Sequence, residues 1–228
     1  ILGNWTASMI PWRAQTAAIC GNSKYCAETS APTEFILSDM RRDDGRLLHC
    51  WRNGEAKFDA YLDDYSYLIN ALVSLYEASF DERWIDQAVQ FADLVITHFS
   101  DTACGGFFFT ADDHEQLIAR NKDIHDSSVP SGNAMSATAL LRLGKLTGRS
   151  DYLEAARSAL EAAVGVMRQS PTAAGQMLCA ADMFFGPTKE IAILGASAQD
   201  VSKVASDLHR HFVPNRVVAA RTTGDQKG

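Results

Sequence analysis

Several things are missing from this 228-residue chain, and each absence removes a class of protein. No apolar run approaches the ~18–20 residues that a membrane-spanning helix needs, so no membrane partner is expected. Positive charge is in deficit: 21 Lys and Arg stand against 28 Asp and Glu, a net charge of −7, and a nucleic-acid footprint needs the opposite balance. The cysteines are few (Cys20, Cys26, Cys50, Cys104 and Cys179). They are odd in number, form no CxxC and have no zinc-type spacing. That predicts reduced thiols, a cytoplasmic protein and no metal site. There is no GxGxxG and no P-loop lysine, and hence no implied nucleotide; no cofactor is expected. The chain opens on Ile1 without a charged leader or cleavage motif, as a start inside a longer protein would.

Helical periodicity fills most of what is present. Leu62, Leu68, Ile69, Leu72, Val73, Leu75 and Tyr76 give residues 60–79 a broad apolar face. Trp84, Ala88, Phe91, Ala92, Val95 and Phe99 do the same over 82–99, with Asp81 as N-cap. Residues 131–147 and 151–169 form another pair, the second capped by Ser150. An earlier pair covers 3–20 and 24–41 about a Gly21-Asn22 turn, with Pro32 kinking its second helix or moving its start to Ser30. A further helix is expected from Ser170-Pro171. The second helix of each pair opens on an aromatic with a small residue four places on: Tyr25 and Thr29, Trp84 and Ala88, Tyr152 and Ala156. The repeat unit is a helical hairpin. The fold expected is mainly α, a partial α/α toroid cut off before its ring closes, over residues 1–186. A strand–helix–strand element follows over 187–221 (strand 190–195, helix 198–211, strand 216–220), with a frayed tail at 222–228.

The connections carry the functional signal. Turns within hairpins are short, whereas the segments 42–60 and 100–131 between hairpins are long. In an up-down array both must emerge on one face, where a rigid scaffold usually carries its chemistry. In the first, Gly45 to Gly54 reads as a β-hairpin turning at Asn53-Gly54. It brings His49, Trp51 and Arg52 to the mouth; Trp51 is either a sugar-stacking platform or the cover of the hairpin. Next, Asp63 and Asp64 sit between Tyr61, Tyr65 and Tyr67 at a helix start. The helix dipole accounts for one acid. Consecutive side chains diverge by ~100°, so one should face inward as an acid, a base or a hydroxyl holder. The second connector holds Gly105-Gly106-Phe107-Phe108-Phe109-Thr110, read as a strand. Then come Arg120, Lys122, Asp123, His125 and Asp126, and it enters the next helix through Pro130-Ser131-Gly132-Asn133. This charged run is either a solvated loop or polar groups aimed at a ligand from a helix start, and Ser131 and Asn133 are either caps or ligand contacts. Paired carboxylates with His and aromatics around a helical mouth fit carbohydrate chemistry best.

The strings GRLLHCW (Gly45–Trp51), YLDDYSYLI (Tyr61–Ile69), GGFFFT (Gly105–Thr110) and KDIHDSSVPSGNA (Lys122–Ala134), with EIAILG and PNRVV in the tail, resemble the spermatogenesis-associated, thioredoxin-like protein family. Its members look like a thioredoxin-like domain followed by an (α/α)6 toroid similar to N-acylglucosamine 2-epimerases and six-hairpin glycosidases. The resemblance implies a C-terminal part of such a protein, with no settled activity to carry over. Departures are Cys50, where Ser is usual, Ser127-Ser128 in place of a Gly-Ala-like pair, and Pro32 in the first hairpin. The expected function is therefore that of a sugar epimerase, isomerase or glycosidase-like domain. His49, Asp63, Asp64, Asp123, His125 and Asp126 are its candidate catalytic groups. Trp51, Arg52, Tyr65, Phe107, Arg120, Lys122, Ser131 and Asn133 are its candidate substrate contacts. The alternative is a non-catalytic binding or regulatory module of a redox protein. In either case a small sugar-like ligand is the expected partner, and a missing N-terminal domain or a second copy is expected to cover the open inner face.

Overall fold

The structure is a computed structural model that describes residues 1–20, 23–114 and 119–223, with the backbone alone for 20 and 23–28. The Gly21-Asn22 turn and the Tyr25 wedge fall outside the described residues, as does the tail beyond Thr223.

Helices α1 (Gly3–Cys20) and α2 (Ser23–Asp39) come first, then the hairpin β1 (Leu48–Arg52) and β2 (Glu55–Asp59). Helices α3 (Leu62–Ser79), α4 (Arg83–Phe99), α5 (Gly132–Thr147) and α6 (Ser150–Gln169) follow, and α7 (Gly175–Phe185) completes the array. The odd helices stand side by side, α1 on α3, α3 on α5 and α5 on α7, while α2, α4 and α6 back them. This layering follows from the sequence pattern. Helices α3 and α5 are apolar nearly all round and are buried nearly all round. Helices α4 and α6 bury only one stripe each: Trp84, Ala88, Phe91, Ala92, Val95 and Phe99, and Tyr152, Ala156, Ala159, Leu160 and Ala163. Trp84 and Tyr152 are buried over Ala88 and Ala156, as the hairpin repeat predicts. Three and a half hairpins are present, and the chain is mainly helical.

Local expectations were met at Asn53-Gly54, where both residues take positive φ (54° and 82°) and close the β1–β2 turn. Two others give way to tertiary partners. Residues 105–110 form no strand, only a bridge between Ser100 and Phe107. Gly105 and Gly106 turn left-handed there, and the Asn133 side-chain amide takes both the N–H and the C=O of Phe107 in place of a neighbouring strand. The helix expected at Ser170 is a 3-10 turn, Pro171–Ala173, with α7 starting four residues later, because the Asp126 carboxylate receives the Gln176 N–H. Helix α2 runs through Pro32 from Ser23. Ser150 is the first residue of α6, not its cap, whereas Asp81 does accept the Arg83 N–H at the start of α4.

The last elements are β3 (Lys189–Gly195), α8 (Ala198–His209) and β4 (Arg216–Thr222), the strands parallel in register from Lys189–Arg216 to Gly195–Thr222. They bury a small cluster of Ile193, Val201, Ala205 and Val218. A polar knot at the C-terminal end of α3 ties them to the array. The Glu77 carboxylate accepts from Arg142 (2.8 Å) and from the Val218 N–H (3.2 Å). The Glu77 carbonyl receives His209 Nε2–H (3.3 Å), and His209 Nδ1 accepts from Arg216 (2.9 Å). Burial and the Arg216 charge together lower the His209 pKa below its ordinary 6.5. The unfolded chain therefore binds this proton more readily. Stability held by the neutral ring is complete above pH 6.5 and lost as pH falls from there toward the folded value. Thermal melts across that range should show a steeper acid loss for the parent than for His209→Gln, which keeps the donor to Glu77 and cannot charge.

Candidate active site at the connector rim

The starts of α1, α3 and α5 and both long connectors meet at one end of the array. Asp64 ties together the first connector and the starts of α1 and α3. Its side chain is 3% exposed and accepts the Asn4 N–H of α1 (2.8 Å), the Tyr61 N–H at the cap of α3 (2.9 Å) and His49 Nδ1 of β1 (2.9 Å). The second connector lies against the first. The Leu62 N–H donates to the Phe109 carbonyl, Tyr61 stacks on Phe109 at 4.7 Å, and Arg46 pairs with Asp113 at 2.6 Å.

His49 and Asp63 are two groups here whose proton affinity the surroundings raise. With Nδ1 bound to Asp64, His49 leaves Nε2 without a hydrogen bond among the described residues, and its side chain is 24% exposed. The hydrogen bond to Asp64 raises its pKa against the opposing effect of burial. Asp63, one residue earlier on α3, points elsewhere. Its Oδ1 is buried without a hydrogen bond among the described residues, hard against Gly132 at the start of α5. Burial, then the charges of Asp64 and Asp123, push its pKa up to about 7; His49 and the Gly132 backbone oppose them. A carboxyl half-protonated at neutral pH beside a His with a free ring nitrogen can give and take protons. Tyr67 adds a phenol held by the Pro130 carbonyl (2.9 Å) and pushed up by burial and by the charges of Asp63 and Asp126.

The remaining candidates are placed differently. Asp123 is exposed and acts on Asp63 through its charge. Asp126 receives the Ser131 and Gln176 N–H groups, joining the starts of α5 and α7. His125 is exposed and makes no hydrogen bond among the described residues. Trp51 packs edge-on against Phe35 (5.3 Å), and Arg52 is exposed at the hairpin turn. Tyr65 is buried with its hydroxyl accepting the Leu47 N–H (2.9 Å), and Phe107 is buried against Asn133. Arg120 lies over the Phe108 ring and donates to the carbonyls of Thr110 and His98. Lys122 pairs with Asp101 and the Gly105 carbonyl. Ser131 caps α5 through the Ala134 N–H (3.3 Å). Sequence reasoning passed over His114, whose ring lies near Tyr61 and whose Nε2 meets the Ala60 carbonyl. It also passed over His98, paired to Asp112 at 2.8 Å. An isolated His in a turn or at a helix end carries no spacing signal.

Asp64→Asn should uncouple this arrangement. The His49 pKa, followed by NMR titration of its ring, is expected to fall. Stability should drop by about 1–3 kcal/mol as buried N–H groups lose a charged acceptor.

No family model matches the chain. It is 29% identical over 229 residues to spermatogenesis-associated protein 20 of Rattus norvegicus, and 30% identical to that of Mus musculus. Each alignment takes in 96% of this chain and 29% of the relative, so the chain spans under a third of the length of these curated relatives. Among solved structures, a GH76 alpha-mannanase of Bacteroides thetaiotaomicron superposes with a TM-score of 0.64 at 11% identity, over 97% of this chain and 63% of that one. A sugar epimerase from a ruminal bacterium gives 0.62 at 13% identity, over 91% and 58%. A cellobiose 2-epimerase from Bacillus thermoamylovorans gives 0.59 at 10%, over 70% and 43%. At such identities the likeness is one of fold. The chain is a homologue of one stretch of spermatogenesis-associated protein 20, and it folds as part of an (α/α)6 toroid of the kind found in N-acylglucosamine 2-epimerase-like and six-hairpin glycosidase-like proteins.

Proposed function

We propose that the rim site binds a sugar-like small molecule and moves protons on it, with His49 as the principal acid and base and Asp63 as the second proton-exchanging group. The observation that carries this reading is the pair itself. The Nδ1 of His49 is fixed by Asp64 and its Nε2 has no hydrogen bond among the described residues, while the neighbouring carboxyl is pushed up to about 7. Epimerisation or isomerisation needs a proton taken from the carbon beside a carbonyl and returned, which suits one His and one near-neutral carboxyl. Glycoside hydrolysis needs two carboxyls flanking one bond. Asp64 is ill suited to be the second, since both its oxygens already accept hydrogen bonds. Proton transfer beside a carbonyl is therefore the favoured chemistry. The solved folds this chain resembles include both epimerases and a mannanase, so the choice between the two chemistries rests on these residues.

Free sugars, N-acyl sugars and glycosides assayed with the intact polypeptide test this. Turnover of a reducing sugar should fall about 100- to 10,000-fold in His49→Gln and substantially in Asp63→Asn. Equal turnover in His49→Gln and parent would refute the assignment, and binding without turnover would favour the non-catalytic module.

The reading includes a cover for the open side of the array. Trp5, Met9, Trp12 and Ile19 form one exposed stripe along α1, with Trp12 71% exposed. A stripe of that kind is normally covered, here by another part of the longer polypeptide or by a second copy. Light scattering of this chain alone should report self-association that Trp5→Glu with Trp12→Glu abolishes. A monomeric parent would exclude the second copy.

A further inference from the structure

The residue that opens α3 is an uncommon one for its place. Tyr61 is the extended N-cap (φ −91°, ψ 171°). That position favours Ser, Thr, Asp or Asn, whose short side chains bond the first helical N–H groups, and a phenol does not. Asp64 pins the backbone instead: its carboxylate takes the Tyr61 N–H (2.9 Å), and its own N–H donates to the Tyr61 carbonyl (3.0 Å). The cap therefore makes no use of the Tyr61 ring, which is explained by what it touches. It meets the His49 imidazole of β1 at 5.1 Å and 71°, stacks on Phe109 at 4.7 Å and 13°, and lies 5.6 Å from the His114 ring. Edge-on and stacked rings at such spacings attract one another beyond their buried area. The Tyr61 hydroxyl makes no hydrogen bond among the described residues.

We infer that Tyr61 is a positioning residue of the rim site: its ring, backed by Phe109, fixes the plane of the His49 imidazole and so the direction of Nε2. This rests on the proposed function, in which Nε2 moves the proton. The hydrogen bond from Nδ1 to Asp64 holds one corner of the imidazole. One such contact leaves the ring able to tilt about it, and a tilt swings Nε2. Misplacing a reacting group by about 1 Å can cost about 100-fold in rate. Tyr61 supplies the second contact. It also joins the two connectors, because His49 comes from the first, and Phe109 and His114 come from the second. Among the described residues the second connector makes no hydrogen bond to His49, yet through Tyr61 it holds the imidazole in place.

Three variants separate the ring from the hydroxyl. Tyr61→Phe loses only the unbonded hydroxyl, Tyr61→Leu loses the ring, and Phe109→Leu leaves Tyr61 in place without its backing. NMR titration of the His49 ring reads the imidazole without any substrate. Its pKa is raised by the hydrogen bond to Asp64, against burial and with the charges of Asp64 and Asp63 in support. An imidazole that tilts away from the carboxylate loses that rise. The pKa should fall toward the ordinary 6.5 in Tyr61→Leu, fall less in Phe109→Leu, and keep the parent's value in Tyr61→Phe. No fall in Tyr61→Leu overturns the proposal, as does an equal fall in Tyr61→Phe. Should Tyr61→Leu fail to fold, no fall in Phe109→Leu overturns it instead. Where a reducing sugar is turned over, Tyr61→Leu should lose about 10- to 100-fold in kcat with KM near the parent's, and Tyr61→Phe should restore the rate. An unchanged kcat in Tyr61→Leu beside an inactive His49→Gln would sink the positioning role and spare the site. An active His49→Gln beside a lowered His49 pKa in Tyr61→Leu would do the reverse.

Discussion

One buried carboxylate holds the functional end of this molecule together. Asp64 sits where α1, α3 and the β1–β2 hairpin converge, and it accepts a hydrogen bond from each of them. A charged group so buried is tolerated only when fully provided with donors. Beside it, Ile1 and Trp51 exchange backbone hydrogen bonds of 2.9 Å that also tie the start of the chain to β1. Gly3 allows the approach, since a Cβ there would lie 2.8 Å from Asp64 Oδ1. The same contact that positions the hairpin also orients the imidazole of His49, so structural and chemical roles are carried by a single side chain.

Around that centre, most polar residues of the connectors serve the backbone. Long irregular segments bring unpaired N–H and C=O groups with them, and here side chains satisfy many: Asn133 for Phe107, Asp126 for Ser131 and Gln176, Arg120 for Thr110 and His98, Lys122 for Gly105. What such duties leave free is informative. His49 Nε2 and Asp63 stand out, one without a hydrogen bond among the described residues on a partly exposed ring, the other with its charge disfavoured by its surroundings. At the opposite end of α3, Glu77 plays a role comparable to that of Asp64, gathering Arg142 and the strand–helix–strand tail onto the foot of the array.

Helix period, hairpin pairing and the Asn53-Gly54 turn were legible because each depends on residues close together in the chain: apolar spacing, capping groups and positive-φ tolerance are local properties. The common rim was legible too, as a consequence of alternating short and long connections. What escaped were elements whose partners are distant. The Gly105–Thr110 run has the composition of a strand, but a side-chain amide from α5 took the place of its neighbour strand. The start of α7 moved because a carboxylate fifty residues away supplied its cap.

The same division runs through the site. The sequence by itself determined that helices would pair and that His49, Asp63 and Asp64 would share one rim, because periodicity and chain connectivity dictate these. Only the tertiary structure decided which of two adjacent acids is a fully bonded anchor and which a near-neutral carboxyl. Donor supply and burial arise from groups far apart in the chain, and no local pattern records them.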